Sequence, residues 1–480
     1  MKHIFICLLA GLTVTVFFSC SDRLDLQPEQ SIPTGDVFIS GSSALSALYG
    51  VYSRSQRLEV FGGQPQLIAE FMSDNVNYPG SNSLLAEINT FSTSTSNNLV
   101  SELWRINYDA ILGANAVIDR VPGIVDPLFA ESDRRMYVAE AKFMRAILYF
   151  QLVNLFGQPY QVENGARQGV QLVTASFDGS TIVYPGRSTV NEVHKQIEKD
   201  LLEALPDLAD TFTDPALARG RATKGAANAL LSRLYLYRGE WDKAATYAKA
   251  VLDATTYYTL APNYSFYDGN TKEDVFSIQN TDSDNAQTGT NLGSWSSYYR
   301  PTDAGIAGKG EGPFTSDLIQ AFGQEPGDLR YAMSDIGKDA NGVVSRFSLK
   351  YPNVTTGKDN GPLIRVTEMV LNRAEALVSL NGINQESIDL INNLRVRAGL
   401  IAWNINTFTS GDDLITAILN ERRKELCFEG HRRMDLLRRG YSLRAGDPDK
   451  KAGADKIILP IPQREIDLSP ALKGQQNPGY

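Results

Sequence analysis

The chain has 480 residues, of which 42% are hydrophobic and 21% are charged, and its formal net charge is −9. These values are ordinary for a globular protein and provide enough apolar residues for one large domain or two to three smaller ones. The negative charge argues against nucleic acid as a partner and against binding to an anionic surface by charge alone.

The N-terminus has the layout of an export signal. Lys2 precedes an apolar run from Ile4 to Phe18, which is too short to span a bilayer comfortably as a mature helix. Ser19 and Cys20 follow, and the chain then turns polar. A small residue followed by Cys at the end of the apolar run resembles a bacterial lipoprotein signal. The alternative is an ordinary secretory signal that happens to contain a Cys.

The lipoprotein resemblance implies cleavage before Cys20 and acylation of that residue. Residues 1–19 are then a signal peptide, and residues 20–35 are a polar, lipidated tether. Lys2 is the only charge in the signal, so its removal changes the net charge from −9 to −10. Several acyl chains on one residue give a firm hold on a membrane.

The cysteines and histidines argue against a disulfide or a metal site in the mature chain. Cys7 lies in the signal and Cys20 carries the lipid, which leaves Cys427 without a cysteine partner. His194 and His431 are isolated, so a metal site built from Cys and His is not indicated. No cofactor is predicted beyond the lipid on Cys20.

Helical spacing of apolar residues dominates the body of the chain. The first predicted helix contains residues 45–52 and has Ser42 or Ser43 as its N-cap. A longer helix at residues 139–153 ends at Gly157 and Pro159. Two further helices are predicted around residues 104–115 and 190–205.

A pair of packed helices is predicted near the middle of the chain. Leu234 and Tyr237 lie on one face of the first helix, residues 239–242 form a turn, and Ala244 and Ala248 face back from the second helix. This pattern resembles a tetratricopeptide repeat, whose helical units stack side by side. The sequence therefore predicts a mainly α protein, with a tetratricopeptide-like helical repeat scaffold, long loops and a few short strands. Residues 275–278 are one predicted strand.

Two polar loops, at residues 74–80 and 281–312, carry side chains suited to a ligand. Aromatic rings on such loops are expected to have few core partners. A sugar stacks its C–H faces on such rings and needs amide, carboxylate or guanidinium partners for its hydroxyls. The predicted ligand-binding residues are Asp74, Asn75, Asn77, Tyr78, Trp295, Tyr298, Tyr299 and Arg300.

The alternative for these aromatic residues is that they cover the surface of the scaffold itself. Trp104 is also conspicuous, but Tyr108 lies one helical turn away, so Trp104 is predicted to be a core residue.

The C-terminal quarter carries the most specific sequence. Residues 421–440 read ERRKELCFEGHRRMDLLRRG, residues 459–468 read LPIPQREIDL, and the chain ends in QNPGY. These stretches closely resemble the SusD/RagB family of outer-membrane nutrient-binding lipoproteins. Four other parts match as well, so the resemblance spans nearly the whole mature chain: Leu24-Asp25 with Pro28 after Cys20, and residues 139–146, 365–377 and 394–399.

The resemblance implies a protein on the outer face of the outer membrane of Bacteroidetes bacteria, held there by its lipid. Its implied partner is a SusC-like TonB-dependent transport barrel. The family is thought to act as a lid that captures a glycan, or sometimes a peptide, and closes it onto the barrel without breaking a bond. The resemblance also allows calcium, but no dense acidic loop in this chain supports a calcium site.

The family resemblance also sets the expected domain organisation. Residues 36–480 are expected to form a single SusD-like α-helical domain. Residues 36–224 form its N-terminal helical part, and residues 225–480 carry the repeat unit, the binding loops and the C-terminal SusD/RagB part.

The charges in residues 421–440 have a catalytic and a structural interpretation. A catalytic role would make Glu421, Glu425 or Glu429 an acid or a base. The structural role is favoured, because Arg422 with Glu425 and Glu421 with Lys424 are three apart on a helix and can pair. The chain is therefore not predicted to be an enzyme.

Two rival classes of protein stay open. A surface glycoside hydrolase needs two carboxylates across a cleft, and sequence alone does not exclude that pairing. A periplasmic helical-repeat scaffold that binds only proteins is the second rival, and protease treatment of intact cells distinguishes it from a surface protein.

Overall fold

The computed structural model describes residues 37–177, 184–286, 295–303, 305–306 and 308–480. Cys20, with the predicted signal and tether, lies outside these residues. Within the described ranges, no helix is both long enough and apolar enough to cross a membrane.

Helices form most of the body. The N-terminal part contains α1 (Gly41–Gln56), α2 (Gln64–Phe71), α3 (Ser83–Asn89), α4 (Asn98–Arg120), α5 (Glu131–Phe156), α6 (Val190–Ala204) and α7 (Pro215–Gly220). The remainder contains α8 (Lys224–Arg238), α9 (Trp241–Asp253), α10 (Trp295–Tyr299), α11 (Ser316–Gly323), α12 (Leu329–Ala332), α13 (Val366–Asn381), α14 (Gln385–Arg397), α15 (Gly411–Leu426), α16 (Arg432–Arg438) and α17 (Gln463–Leu468).

The strands are short and form three antiparallel pairs. They are β1 (Gln168–Gln171) with β2 (Arg187–Thr189), β3 (Asp274–Ile278) with β6 (Gly361–Arg365), and β4 (Ser334–Lys338) with β5 (Val344–Ser348). Every residue of β3 and β6 is buried, so this pair belongs to the core. The strand predicted at residues 275–278 is therefore confirmed, and so is the mainly α fold class.

The ends of the helices follow from local chemistry. The N-cap of α1 is Ser40, whose hydroxyl accepts a hydrogen bond from the backbone N–H of Ser43 at 3.2 Å. The prediction of Ser42 or Ser43 as the cap is wrong, because Ser43 instead completes the capping box from inside the helix. Helix α5 ends at Gly157, as predicted.

The predicted helical hairpin is present as α8 and α9. Gly239 joins them in the left-handed conformation, with φ of 77°, which suits glycine because it has no Cβ. Ala244 and Ala248 on α9 are fully buried, so the two helices approach closely. Helix α9 also packs on α13, which supplies the neighbour that one repeat unit needs to bury its apolar face.

One hydrophobic core joins the two parts of the chain, since it contains residues from Ala44 to Leu472. Trp104 is only 1% exposed, and its ring meets the edge of Phe156 at 4.8 Å, so its predicted core role is confirmed. A second apolar cluster lies among α13, α14 and α15.

Candidate functional site

The two loops predicted to bind a ligand meet where the Tyr78 hydroxyl contacts Glu311, and the chain just after the second loop holds the first one in place. The backbone of Val76 forms an isolated β-bridge with Phe314, and the N–H of Thr315 donates to the carbonyl of Asn75 at 3.0 Å. The side-chain amide of Asn341 donates to the carbonyl of Pro79 at 2.8 Å. Residues distant in sequence are thereby placed on one surface.

Asp74 and Asn75 hold the base of the first loop. Arg432 donates two hydrogen bonds to the Asp74 carboxylate, at 2.7 and 2.8 Å. Burial opposes ionisation of Asp74, but the hydrogen bonds and charge of Arg432 outweigh it and lower the pKa of Asp74.

Asn75 is fully buried between Glu70 and Arg423. Its amide donates to the Glu70 carboxylate at 3.0 Å and its carbonyl oxygen accepts from Arg423 at 2.9 Å. Both polar ends of the Asn75 side chain are therefore bonded inside the protein, and the side chain is not exposed to a ligand as predicted. Asn75 positions the loop instead.

Trp295 and Tyr299 are core residues, each 2% exposed. The Trp295 indole N–H donates to the carbonyl of Phe61 at 3.2 Å, and its ring centroid lies 5.0 Å from that of Tyr351. The Tyr299 ring meets the edge of Phe428 at 5.2 Å. The expectation that these loop aromatics have few core partners is wrong, because α10 places them beneath the loops, where they cover the scaffold.

Arg300 is also withdrawn from the surface, at 7% exposed. The closest approach of its guanidinium to Asp335 is 4.0 Å, a loose ion pair. Burial lowers the pKa of Arg300 despite the opposing charge of Asp335. The predicted ligand contact of Arg300 therefore needs a movement of the surrounding loops.

The exposed part of the predicted site is Asn77 and Tyr78. Asn77 is exposed and Tyr78 half-buried. The Tyr78 hydroxyl donates to Glu311 at 3.3 Å and accepts from the backbone N–H of Asn82 at 2.8 Å. The Tyr78 ring centroid lies 5.1 Å from that of Phe71, which supports the ring from within. Tyr78 therefore presents a fixed aromatic group at the surface.

Tyr298 lies buried beneath the same surface, in contact with Lys309. The Lys309 ammonium lies 4.2 Å from the centroid of the Tyr298 ring, a cation–π contact, and Tyr298 is 9% exposed. We call Asn77, Tyr78, Tyr298, Lys309 and Glu311 the loop junction.

Partial burial shifts the titrating groups of the loop junction towards their neutral forms. It raises the pKa of Glu311 and lowers that of Lys309, and with the nearby Glu311 charge it raises the pKa of Tyr78 to about 12. The junction therefore combines a phenol that stays protonated at neutral pH with incompletely solvated charged groups.

Lys309 and Glu311 were missed in the sequence. They alternate with Gly308, Gly310 and Gly312. A Cβ at Gly312 would lie 2.6 Å from Cδ1 of Tyr299, so glycine lets the backbone pass close to the buried ring. Charged residues alternating with glycine beside loop aromatics were the signal that could have identified them. In the described part of the chain, no cluster of three or more His, Cys, Asp or Glu side chains is suited to a metal ion.

Comparison with known families matches both ends of the chain. A family model described as SusD family matches residues 340–480, and one described as starch-binding, associating with outer membrane, matches residues 24–236. The chain belongs to the SusD/RagB family. A SusD-like protein of Formosa agariphila is 26% identical over 96% of this chain and 97% of its own length. The starch-binding protein SusD of Bacteroides thetaiotaomicron is 25% identical over 70% of this chain and 69% of its own length.

Solved SusD structures share the fold. A SusD superfamily protein of Bacteroides thetaiotaomicron superposes with a TM-score of 0.81 at 25% identity, covering 92% of this chain and all of that one. A laminarin-binding SusD-like protein superposes with a TM-score of 0.73 at 24% identity, with the same coverage of both chains.

The SusD/RagB motif at residues 421–440 forms a buried ionic framework. Glu421 pairs with Lys424 at 3.4 Å, as predicted, whereas Arg422 pairs with Asp435 at 2.8 Å rather than with Glu425. These carboxylates are held by cations inside the protein, which supports the structural interpretation of the motif. Two further carboxylates, Glu425 and Glu429, lie 3.8 and 2.8 Å from the Arg365 guanidinium.

Proposed function

We propose that this protein is a cell-surface glycan-binding lipoprotein. It captures an oligosaccharide at the loop junction and acts as the lid of a SusC-like TonB-dependent transporter in the outer membrane. The observation that carries the proposal is the convergence of Tyr78, Lys309 and Glu311 on one surface of a SusD fold, with the buried Tyr298 ring in contact with Lys309. The names of the relatives, which include starch-binding and laminarin-binding proteins, support a glycan as the ligand.

The chemistry of the loop junction suits a sugar. Tyr78 offers an aromatic ring for the C–H face of a sugar, and its hydroxyl lies 3.3 Å from Glu311. Glu311 accepts hydrogen bonds from sugar hydroxyls, whereas Lys309 donates them. Asn77, exposed beside Tyr78, adds an amide that can do both.

The proposed anchor and tether supply the fixed end of the lid. From Cys20 to Val37, where the described residues begin, the chain has seventeen links. A fully extended tether of this length reaches about 60 Å at most. This reach keeps the body near a barrel at high effective concentration and still permits rotation. The predicted exterior location follows from this role.

Binding and hinge motion are sufficient for the proposed role, and no bond is broken. A peptide is the alternative ligand for the same lid. Catalysis, in contrast, would require a second carboxylate across the ligand from Glu311.

Tyr78→Ala tests the proposal. We expect at least about tenfold weaker binding of soluble starch or laminarin, because the aromatic platform is lost. Calorimetry on the full-length chain in detergent measures the affinity. Tyr184→Ala is the matched control, since Tyr184 is 49% exposed elsewhere on the protein.

Unchanged affinity of Tyr78→Ala would remove the loop junction as the site. Binding of casein-derived peptides, without binding of either glycan, would select the peptide alternative. Release of reducing ends from starch or laminarin by the purified protein would restore the hydrolase alternative.

A further inference from the structure

Two surface grooves flank α15 and meet at one residue. Each has a volume of about 510 Å³, and Asn420 lines both. Asn420 is exposed, and its neighbours Thr416 and Ala417, one in each groove, are small. An extended ligand can therefore cross the helix at this point without meeting a large side chain.

The first groove carries an exposed aromatic ring at its edge. Tyr441 is 47% exposed and follows Gly440, whose left-handed conformation ends α16. The backbone N–H of Tyr441 donates to the carbonyl of Leu436 at 2.9 Å, which fixes the start of this loop. The Asp74–Arg432 pair also lines the groove.

The second groove also has an aromatic wall, formed by Trp403. The Arg395 guanidinium lies 4.6 Å from the ring centroid and supports the ring. The backbone N–H of Trp403 donates to the Asn392 side chain at 2.6 Å, and its carbonyl accepts from the same amide at 3.0 Å. Trp403 is half-buried, so its platform is held rigidly.

Arg423 is buried between the two grooves and forms ion pairs with a residue of each. Its guanidinium lies 3.4 Å from the Asp74 carboxylate of the first groove and 3.2 Å from the Asp317 carboxylate of the second. The same buried guanidinium therefore supports both grooves, which share Asn420 on the surface of α15.

The charged side chains that line the two grooves indicate whether a bound glycan would be neutral or charged. The first groove is lined by three carboxylates and two cations, Asp74, Asp435, Asp447, Arg432 and Arg444. The second is lined by Asp317, Glu325, Glu421, Arg423 and Lys424, which gives the same balance. Asp74, Asp435 and Glu325 are already paired with cations, so the grooves are electrostatically balanced, which suits an uncharged glycan better than one that carries carboxylate or sulfate groups.

We propose that the surface from Trp403 across Asn420 to Tyr441 is a second binding site, for a neutral glycan chain. The ligand class rests on the proposed function, whereas the site is separate from the loop junction. Trp403 and Tyr441 stack on sugar rings at the two ends, and the Asn420 amide binds hydroxyls between them. A long glycan that engages both this groove and the loop junction gains affinity through avidity.

The test uses maltohexaose and laminarihexaose as neutral probes, in calorimetry with the full-length chain in detergent. We expect two binding events per protein, of which Tyr441→Ala and Asn420→Ala each remove or weaken the same one at least about tenfold. Tyr78→Ala removes the other event. Tyr441 and Asn420 are exposed, so both variants are expected to fold, and Tyr184→Ala again serves as the matched control.

Three outcomes contradict the second site. If the wild type shows one event that only Tyr78→Ala removes, the groove is wrong and the loop junction stands. If Tyr441→Ala and Asn420→Ala act on different events, the groove is not one site. If neither hexasaccharide binds the wild type, the groove and the proposed glycan function both fail.

Discussion

The predicted ligand residues divide into a buried base and an exposed rim, although they come from the same two loops. Asn75, Trp295 and Tyr299 are at most 2% exposed and are held by partners inside the protein. Asn77 and Tyr78 follow Asn75 within three positions and reach the surface. Buried and exposed residues come from loops of the same polar, aromatic-rich composition. Composition therefore does not determine which of these residues can contact a ligand.

The difference lies in what packs over each residue. The bridge between Val76 and Phe314 fixes the direction of the first loop, so Asn75 points towards Arg423 inside the protein. Trp295 fits against Gly361, where a Cβ would lie 2.8 Å from the indole nitrogen. The buried base is therefore expected to control stability, and the exposed rim to control binding.

Trp295→Ala should have the largest effect on stability. Removing a buried aromatic ring typically costs about 3–5 kcal/mol in the free energy of unfolding. Urea denaturation of the full-length chain measures this loss, with Asn77→Ala on the rim as the control that should change it by less than about 0.5 kcal/mol. If Trp295→Ala were as stable as the wild type and bound glycan more weakly, Trp295 would have to be assigned to the exposed, ligand-contacting residues instead.

Glu70 should add a smaller, pH-dependent effect at the base. Burial raises the pKa of Glu70 from 4.5 to about 7, although Asn75 and Gly430 donate hydrogen bonds to its carboxylate. Between these pH values the folded protein holds a proton that the unfolded chain releases. The Glu70 contribution therefore favours folding at low pH and is lost as pH rises from 4.5 to 7, by about 3 kcal/mol in total.

Glu70→Gln isolates this contribution. The difference in the free energy of unfolding between wild type and variant should change by about 3 kcal/mol between pH 4.5 and 8, in the direction that lowers wild-type stability at high pH. Urea titrations across this range measure the change. A difference that does not vary with pH would show that Glu70 is ionised in the folded protein throughout.

Much of the fold was predictable because helices carry a local pattern. The apolar spacing identified α1, α4, α5 and α6, and the small residues of α9 identified the helical hairpin. The charges of α15 were correctly assigned to the framework, since helical spacing allowed the Glu421–Lys424 pair. The pairing of Arg422 with Asp435 depends on the angle between α15 and α16, which spacing does not give.

The candidate site was only half predictable. The sequence identified the two loops, and the structure brings them together, but burial depends on contacts between distant segments. Trp295 and Tyr298 lie three residues apart, yet one contacts Phe61 in the core and the other contacts Lys309 near the surface. The alternation of Lys309 and Glu311 with glycine marks this segment in the sequence, but only the fold shows that they contact Tyr298 and Tyr78.

Hydrogen exchange of the full-length chain, with and without saturating laminarihexaose, tests most directly whether glycan binds at the rim of the two loops. We expect slower amide exchange in peptides that cover residues 76–80 and 308–314, and no change in α5, which is far from both loops in sequence and belongs to the scaffold. Bound glycan with unchanged exchange in both loop segments would contradict the assignment of the loop junction.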